Sequence, residues 1–258
     1  MTIAVGKNRT WRAWLELLRV PNLLTVPGDV VAGWLLATGG QWHPALLFTV
    51  LSGLGFYAFG LISNDIIDFK TDTRERPQRP LPSKRIKPAA AVVAAFACAA
   101  SAALIAWLAS RNAFDCAMLL FLVIALYNTM MKDSALFGPL TLGLCRGLNL
   151  LLGAAASIPV TAAGLRSVPL PNIIGVASAA LVLLCYIFAV SVLARREVET
   201  GRASLIGALL RGLLPLQAAF CLCASFFLGA GWSGWGAAAV LLALWPVAGV
   251  LSKRFYMS

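Results

Sequence analysis

Asn64, Asp65, Asp68 and Asp72 place one amide and three carboxylates within a nine-residue stretch. The aspartates are spaced i, i+3 and i+7, so on a helix they share one face. Left alone they repel one another, and the counter-charge that suits oxygen donors is a hard divalent cation such as Mg²⁺. Arg74, Arg76 and Arg79 follow directly, and a guanidinium is a planar fork matched to phosphate oxygens. An acidic face followed by an arginine-rich loop has the chemistry of a metal–diphosphate site. The plainer reading is a solvated loop whose acids offset its bases, which is what charge runs usually mean. The helical spacing and the short step to the arginines argue against it. Pro80 and Pro82 stiffen the chain beyond.

The elements that must position these groups are apolar. Of 258 residues, 60% are hydrophobic and 12% charged, where soluble domains carry about a quarter charged residues. Apolar runs of roughly 18 to 22 residues recur, each long enough to cross a hydrocarbon core. The expected fold is all-α: a single domain over residues 1–258, built as a polytopic bundle with spans near 22–40, 45–63, 89–109, 114–131, 138–158, 173–193, 206–228 and 235–251. Lysine and arginine gather in the N-terminus, the 64–88 loop, Lys132, the 194–205 loop and Lys253 with Arg254; the opposite loops hold only Arg111 and Arg166. The positive-inside rule then places both termini and the acidic cluster in the cytoplasm, with the cell inner membrane the expected location. The net charge of +11 therefore reads as orientation in a lipid bilayer, and no nucleic acid is expected as a partner.

The six cysteines all fall inside apolar runs without metal spacing, so free buried thiols are expected. The first apolar run lacks a small-residue cleavage site, and no signal peptide is expected. Ahead of it Trp11, Trp14, Leu15, Leu17 and Leu18 alternate with Arg12, Glu16 and Arg19, the pattern of a helix lying in the membrane interface. Asp29 falls inside the first span. Intramembrane acids are costly and are usually functional or paired, which leaves open either contact with an acceptor or a cation, or a structural hydrogen bond to Asn22 or a neighbouring span.

The stretch Asn64-Asp65-Ile66-Ile67-Asp68-Phe69-Lys70-Thr71-Asp72, with Arg76-Pro77-Gln78-Arg79-Pro80-Leu81-Pro82-Ser83 after it, resembles the first acidic motif of the UbiA superfamily of intramembrane prenyltransferases. Lys84 stands where that motif usually ends in glycine. Arg19-Val20-Pro21-Asn22 is similar to the family's opening of the first span, Tyr127 to Lys132 to its Tyr–Lys element, and Arg146 with Asn149 to its polar pair in the fifth span. The likeness covers roughly residues 12 to 205. It implies a helix bundle around a central cavity and transfer of an isoprenyl group from a prenyl diphosphate to a lipophilic acceptor, with Mg²⁺-assisted loss of diphosphate. Asp65, Asp68 and Asp72 would be catalytic and hold metal. Asn22, Asn64, Arg76, Arg79, Tyr127, Lys132, Arg146, Asn149 and Arg195 would bind substrate.

Two departures from the family pattern matter. The segment after the sixth span reads Ala194-Arg195-Arg196-Glu197-Val198-Glu199-Thr200-Gly201-Arg202, without the aspartates of the usual second acidic motif. On a helix Glu197 and Glu199 point about 200° apart. Glu197 is the one expected to hold metal, unless Arg195 supplies that charge instead. The chain also shows eight spans where the family usually has nine. The alternative is a homologue that has lost catalysis and binds or moves an isoprenoid or other lipid-like molecule.

Overall fold

The computed structural model describes residues 3–162, 169–197 and 203–255. Its helices are α1 (Ile3–Leu17), α2 (Val20–Leu23), α3 (Val26–Thr38), α4 (Ala45–Ile67), α5 (Phe69–Glu75), α6 (Pro88–Ala109), α7 (Arg111–Leu126), α8 (Phe137–Ala162), α9 (Leu170–Glu197), α10 (Ala203–Arg211), α11 (Leu213–Phe227) and α12 (Gly231–Phe255). A π-helical turn, Tyr127–Met131, continues α7. Among the described residues eight spans are long and apolar enough to cross a membrane, and they coincide with the eight expected from the sequence. The first and seventh are each made of two helices in series.

Two spans form the centre of the bundle. The apolar windows of the first and fifth are 67% and 61% buried, whereas those of the other six are 22% to 33% buried. Apolar residues that face outward on the ring, such as Phe96, Phe227 and Trp232, are what a helix surrounded by lipid presents. The central pair α3 and α8 meets through glycine. A Cβ on Gly33 would stand 2.0 Å from the Leu150 carbonyl oxygen, and one on Gly153 would stand 2.0 Å from that of Val30. Absence of side chains lets the two backbones touch, as small residues do in membrane bundles.

The ring follows the same logic with alanine. On α6, Ala91, Ala95, Ala102 and Ala106 are buried at helical spacing, and Ser52 of α4 donates to the Ala102 carbonyl at 2.9 Å. At the far end, Asn172 of α9 donates to the carbonyls of Leu36 and Ala37, at 2.8 and 3.3 Å, where a helix C-terminus leaves acceptors unpaired. The amphipathic N-terminal helix is confirmed as a helix, but it is not simply laid on the interface. Ala13 and Leu17 are buried with Ile62, Leu81 and Ile86, and Glu16 pairs with Arg85 at 2.6 Å. It clamps the loop that follows the acidic cluster.

Candidate active site

The aspartates gather where α1, α4, α5 and the turn after α7 meet. α4 carries Asn64 and Asp65 beyond the expected end of the span at 63, stopping at Ile67. Asp68 (φ −79°, ψ 1°) is the joint between α4 and α5. The i→i+4 bonds nevertheless persist across it, Asp68 N to the Asn64 carbonyl at 2.9 Å and Asp72 N to the Asp68 carbonyl at 2.8 Å. The single continuous helix of the sequence argument is thus a bent one, and the three carboxylates stay together.

Each carboxylate meets a cation. Arg79 Nη1 donates to Asp72 Oδ2 at 2.7 Å and lies 3.8 Å from Asp65 Oδ1. Arg19 reaches Asp65 from the other side at 3.7 Å, and Lys132 Nζ pairs with Asp68 Oδ1. Asp65 and Asp72 are buried, so these pairs are shielded from water and salt far more than surface pairs are.

Local backbone explains how the cations arrive. Arg19 joins α1 to α2 in the left-handed region, φ 45° and ψ 57°, a conformation that costs a residue with a side chain on the order of 1 kcal/mol or more. Pro21, the second residue of α2, has its ring pre-set for the first turn of a helix. On the opposite wall Lys132 N bonds the Tyr127 carbonyl at 3.0 Å, the i→i+5 step of a π-turn, a feature frequent at functional sites. Asn128, buried in that turn, donates to the Gly60 carbonyl at 3.0 Å and to Ser63 Oγ at 2.8 Å. It fastens the turn to α4 just below the acids. Asn128→Ala should therefore cost about 1 kcal/mol of stability, read by thermal unfolding. It should also speed amide hydrogen exchange in the turn that carries Tyr127 and Lys132. Arg195 completes the rim: its Nη2 donates to the Lys132 carbonyl, and its guanidinium occupies space that a side chain on Gly138 would fill.

Behind this charged rim lies a cavity of about 460 Å³. Arg19, Asn22, Asn64, Tyr127 and Arg195 line it near the rim; Phe56, Leu61, Leu120 and Ile124 form one apolar wall, and Leu142, Ile187, Val190 and Leu213 the other. Thr25, Arg146 and Asn149 line its inner part. There the fully buried Asp29 accepts a hydrogen bond from Arg146 Nη2 at 3.2 Å on Oδ1, and Arg146 Nε stands 3.0 Å from Oδ2 as an ion pair. Asn149 Nδ2 adds a bond to Oδ2 at 3.0 Å and Gln217 Nε2 one to Oδ1 at 2.6 Å. Of the two roles open to Asp29, the structure shows the hydrogen-bonded one. Its partners come from the fifth and seventh spans.

Six of the substrate-binding residues expected from the sequence, Asn22, Asn64, Tyr127, Arg146, Asn149 and Arg195, line this cavity. Arg79 and Lys132 stand at its rim on the aspartates. Arg76 is exposed on the loop and is not brought to the cavity wall. The Glu197 side chain lies outside the described residues. Sequence reasoning missed Arg19, Asn128 and Gln217 as site residues. Arg19 had a signal, a base just before Pro21 at the start of a span.

Among the described residues, no three acid, histidine or cysteine side chains converge as a preformed metal centre. The donor chemistry still fits a hard cation. Asp65 Oδ1 is buried and lacks a hydrogen-bond partner, and it stands on the same rim as Asp68 and Asp72. Arg19 and Arg79 approach that oxygen only to 3.7 and 3.8 Å, so it keeps a free lone pair of the kind a hard cation takes.

A family model described as the UbiA prenyltransferase family matches residues 29–257. Digeranylgeranylglyceryl phosphate synthase of Methanopyrus kandleri is 32% identical over 149 residues, which cover 56% of this chain and 53% of that protein. The enzyme of the same name from Methanosarcina mazei is 32% identical over 157 residues, covering 56% and 54%. The chain thus spans about half the length of the relatives it matches. Among solved structures, one of digeranylgeranylglyceryl phosphate synthase superposes with a TM-score of 0.62 at 19% identity, over 96% of this chain and 94% of that one. A UbiA homologue from Archaeoglobus fulgidus, bound to GPP and Mg²⁺, gives 0.60 at 14% identity over 94% and 96%. At these identities the superpositions establish the fold.

Proposed function

The chain belongs to the UbiA prenyltransferase family and is an integral membrane protein, and from that premise we propose that it transfers an isoprenyl group from a prenyl diphosphate to a lipophilic acceptor. It acts as one domain over residues 1–258, with the charged rim on the cytoplasmic side of the inner membrane. The observation that carries this is the rim itself: three carboxylates and the cations Arg19, Arg79, Lys132 and Arg195 open onto an apolar cavity.

Asp65, Asp68 and Asp72 would hold Mg²⁺, with Glu197 a further candidate ligand. Bound there, the ion supplies Lewis-acid stabilisation of the leaving diphosphate. Arg19, Arg79, Lys132 and Arg195 offer guanidinium and ammonium donors to the same oxygens, and such preorganised charge is worth most where charge develops. Arg76 would meet a phosphate group only from the loop outside the cavity. The allylic C–O bond breaks and its electron pair leaves with the diphosphate. The acceptor nucleophile then bonds to the allylic carbon and gives up a proton. Phe56, Leu120 and Ile124 line the wall that keeps water from intercepting the cation, and Asn22, Asn64 and Tyr127 orient the chain near the rim.

The relatives' name, digeranylgeranylglyceryl phosphate synthase, and the ligand of the Archaeoglobus structure make geranylgeranyl and geranyl diphosphates the donors to try first. A prenylglyceryl phosphate is the first acceptor. Purified protein in lipid nanodiscs, given radiolabelled donor and that acceptor, should form a labelled lipid in Mg²⁺ and none in EDTA, with recovery when Mg²⁺ is restored. Equal product in EDTA would contradict the metal role. Absence of any labelled lipid with this and with aromatic acceptors would contradict transfer.

A further inference from the structure

We propose that Asp29 is a charge-compensating residue that keeps the inner cavity electrically neutral, so that the allylic cation formed there is not repelled by Arg146. Asp29 is fully buried and does not line the cavity, so it acts through Arg146 and Asn149, which do. Both of its oxygens are engaged: Arg146 Nη2, Asn149 Nδ2 and Gln217 Nε2 donate to it at 2.6 to 3.2 Å, and Arg146 Nε stands 3.0 Å from Oδ2 as an ion pair. Arg146 in turn is held by Nη2 on the Thr25 carbonyl at 2.9 Å and on Thr25 Oγ1 at 3.2 Å. The guanidinium is fixed and neutralised at once.

The surroundings are consistent with that purpose. Gly28 leaves the room that Gln217 fills, since a Cβ there would stand 2.1 Å from its Oε1. Gly53 does the same for Asn149, at 2.5 Å from Oδ1. Four spans, the first, second, fifth and seventh, therefore contribute side chains or space to one buried carboxylate. At the rim, positive charge helps the diphosphate to leave. Deeper in, the same charge would oppose the cation left behind, and a cation roughly 6 Å from one uncompensated guanidinium would form about 100-fold more slowly at an effective dielectric near 20.

The inference rests on the prenyl-transfer reading, and the test separates the two. In nanodiscs with Mg²⁺, Asp29→Asn should bind radiolabelled geranylgeranyl thiolodiphosphate, which ionises poorly, within threefold of wild type or tighter. Its kcat for diphosphate release should fall about 100-fold. Adding Arg146→Gln to the same chain removes the stranded charge and should recover kcat at least tenfold over Asp29→Asn. A merely structural role predicts loss of analogue binding and no such recovery. Unchanged kcat in Asp29→Asn, or no recovery in the double variant, overturns the proposal. If Asp29→Asn does not fold, the double variant is read against wild type: kcat above one-tenth supports the proposal, and one-tenth or less with analogue binding intact overturns it. Wild-type protein that binds the analogue but releases no diphosphate refutes the prenyl-transfer reading, and this inference falls with it.

Discussion

Asp68→Ala is expected to cut Mg²⁺-dependent diphosphate release at least 1000-fold while leaving a folded protein. Asp68 is the least buried member of the acidic trio, and its partner Lys132 Nζ is close enough to the rim to find water once the carboxylate is gone. Folding should therefore hardly notice, unlike removal of Asp72, whose side chain is buried and whose 2.7 Å pair with Arg79 would be lost. Chemistry should notice strongly. The residue stands at the joint of α4 and α5, between two other carboxylates of one proposed metal site, and losing transition-state charge stabilisation of about 4 kcal/mol is a factor near 1000. Thermal unfolding and release assays on the same preparation give both numbers. A variant with tenfold or smaller loss would remove Asp68 from the site.

The second large effect falls on the fold. Gly153→Val should lower the thermal midpoint by roughly 10 °C, or prevent recovery of folded protein, because α3 and α8 can no longer meet. The new Cβ would lie 2.0 Å from the Val30 carbonyl oxygen, and its neighbour is backbone, which cannot rotate aside as a side chain can. Overpacking commonly costs 1 to 3 kcal/mol and sometimes more; with the central helix pair affected, about 4 kcal/mol is a fair expectation, and a kcal/mol moves the midpoint about 2 to 4 °C in a chain of this size. Gly236→Ala, on α12 with nothing within 4 Å, is the control and should change the midpoint by less than 2 °C. A Gly153 variant as stable as the control would mean that the central packing is not as described.

Much of this was legible in the sequence. Spans of 18 to 22 apolar residues have few alternatives to crossing a bilayer, so all eight were placed to within a few residues. The acidic cluster was equally visible, since helical spacing and the arginines close behind it outweigh the plainer reading of a solvated, self-neutralising loop. What stayed hidden depends on contacts between distant segments. Asp29 announced a partner, Asn22 or a neighbouring span, without saying which span; the structure supplies Arg146 and Asn149 from 117 and 120 positions away and Gln217 from 188. Gln217 gave no signal because one amide in an apolar helix can face lipid headgroups, solvent or another helix. The π-turn at Tyr127 has no residue signature, as i→i+5 bonding is decided by what Asn128 can reach on α4. Arg19 was seen as a basic residue ahead of a span, but its left-handed backbone, which brings it to Asp65, is set by the packing of α1 on Ile62, Leu81 and Ile86.

The central claim is that the charged rim ionises a prenyl diphosphate. Purified protein in nanodiscs should be given geranyl, farnesyl and geranylgeranyl diphosphates in turn, with membrane lipid extract as the acceptor source, and inorganic diphosphate release should be followed with Mg²⁺ or with EDTA. The expected result is release from at least one donor that requires Mg²⁺ and is absent in Asp68→Ala. Binding of all three donors without release of diphosphate would contradict it and identify a protein that carries prenyl lipids and does not react them.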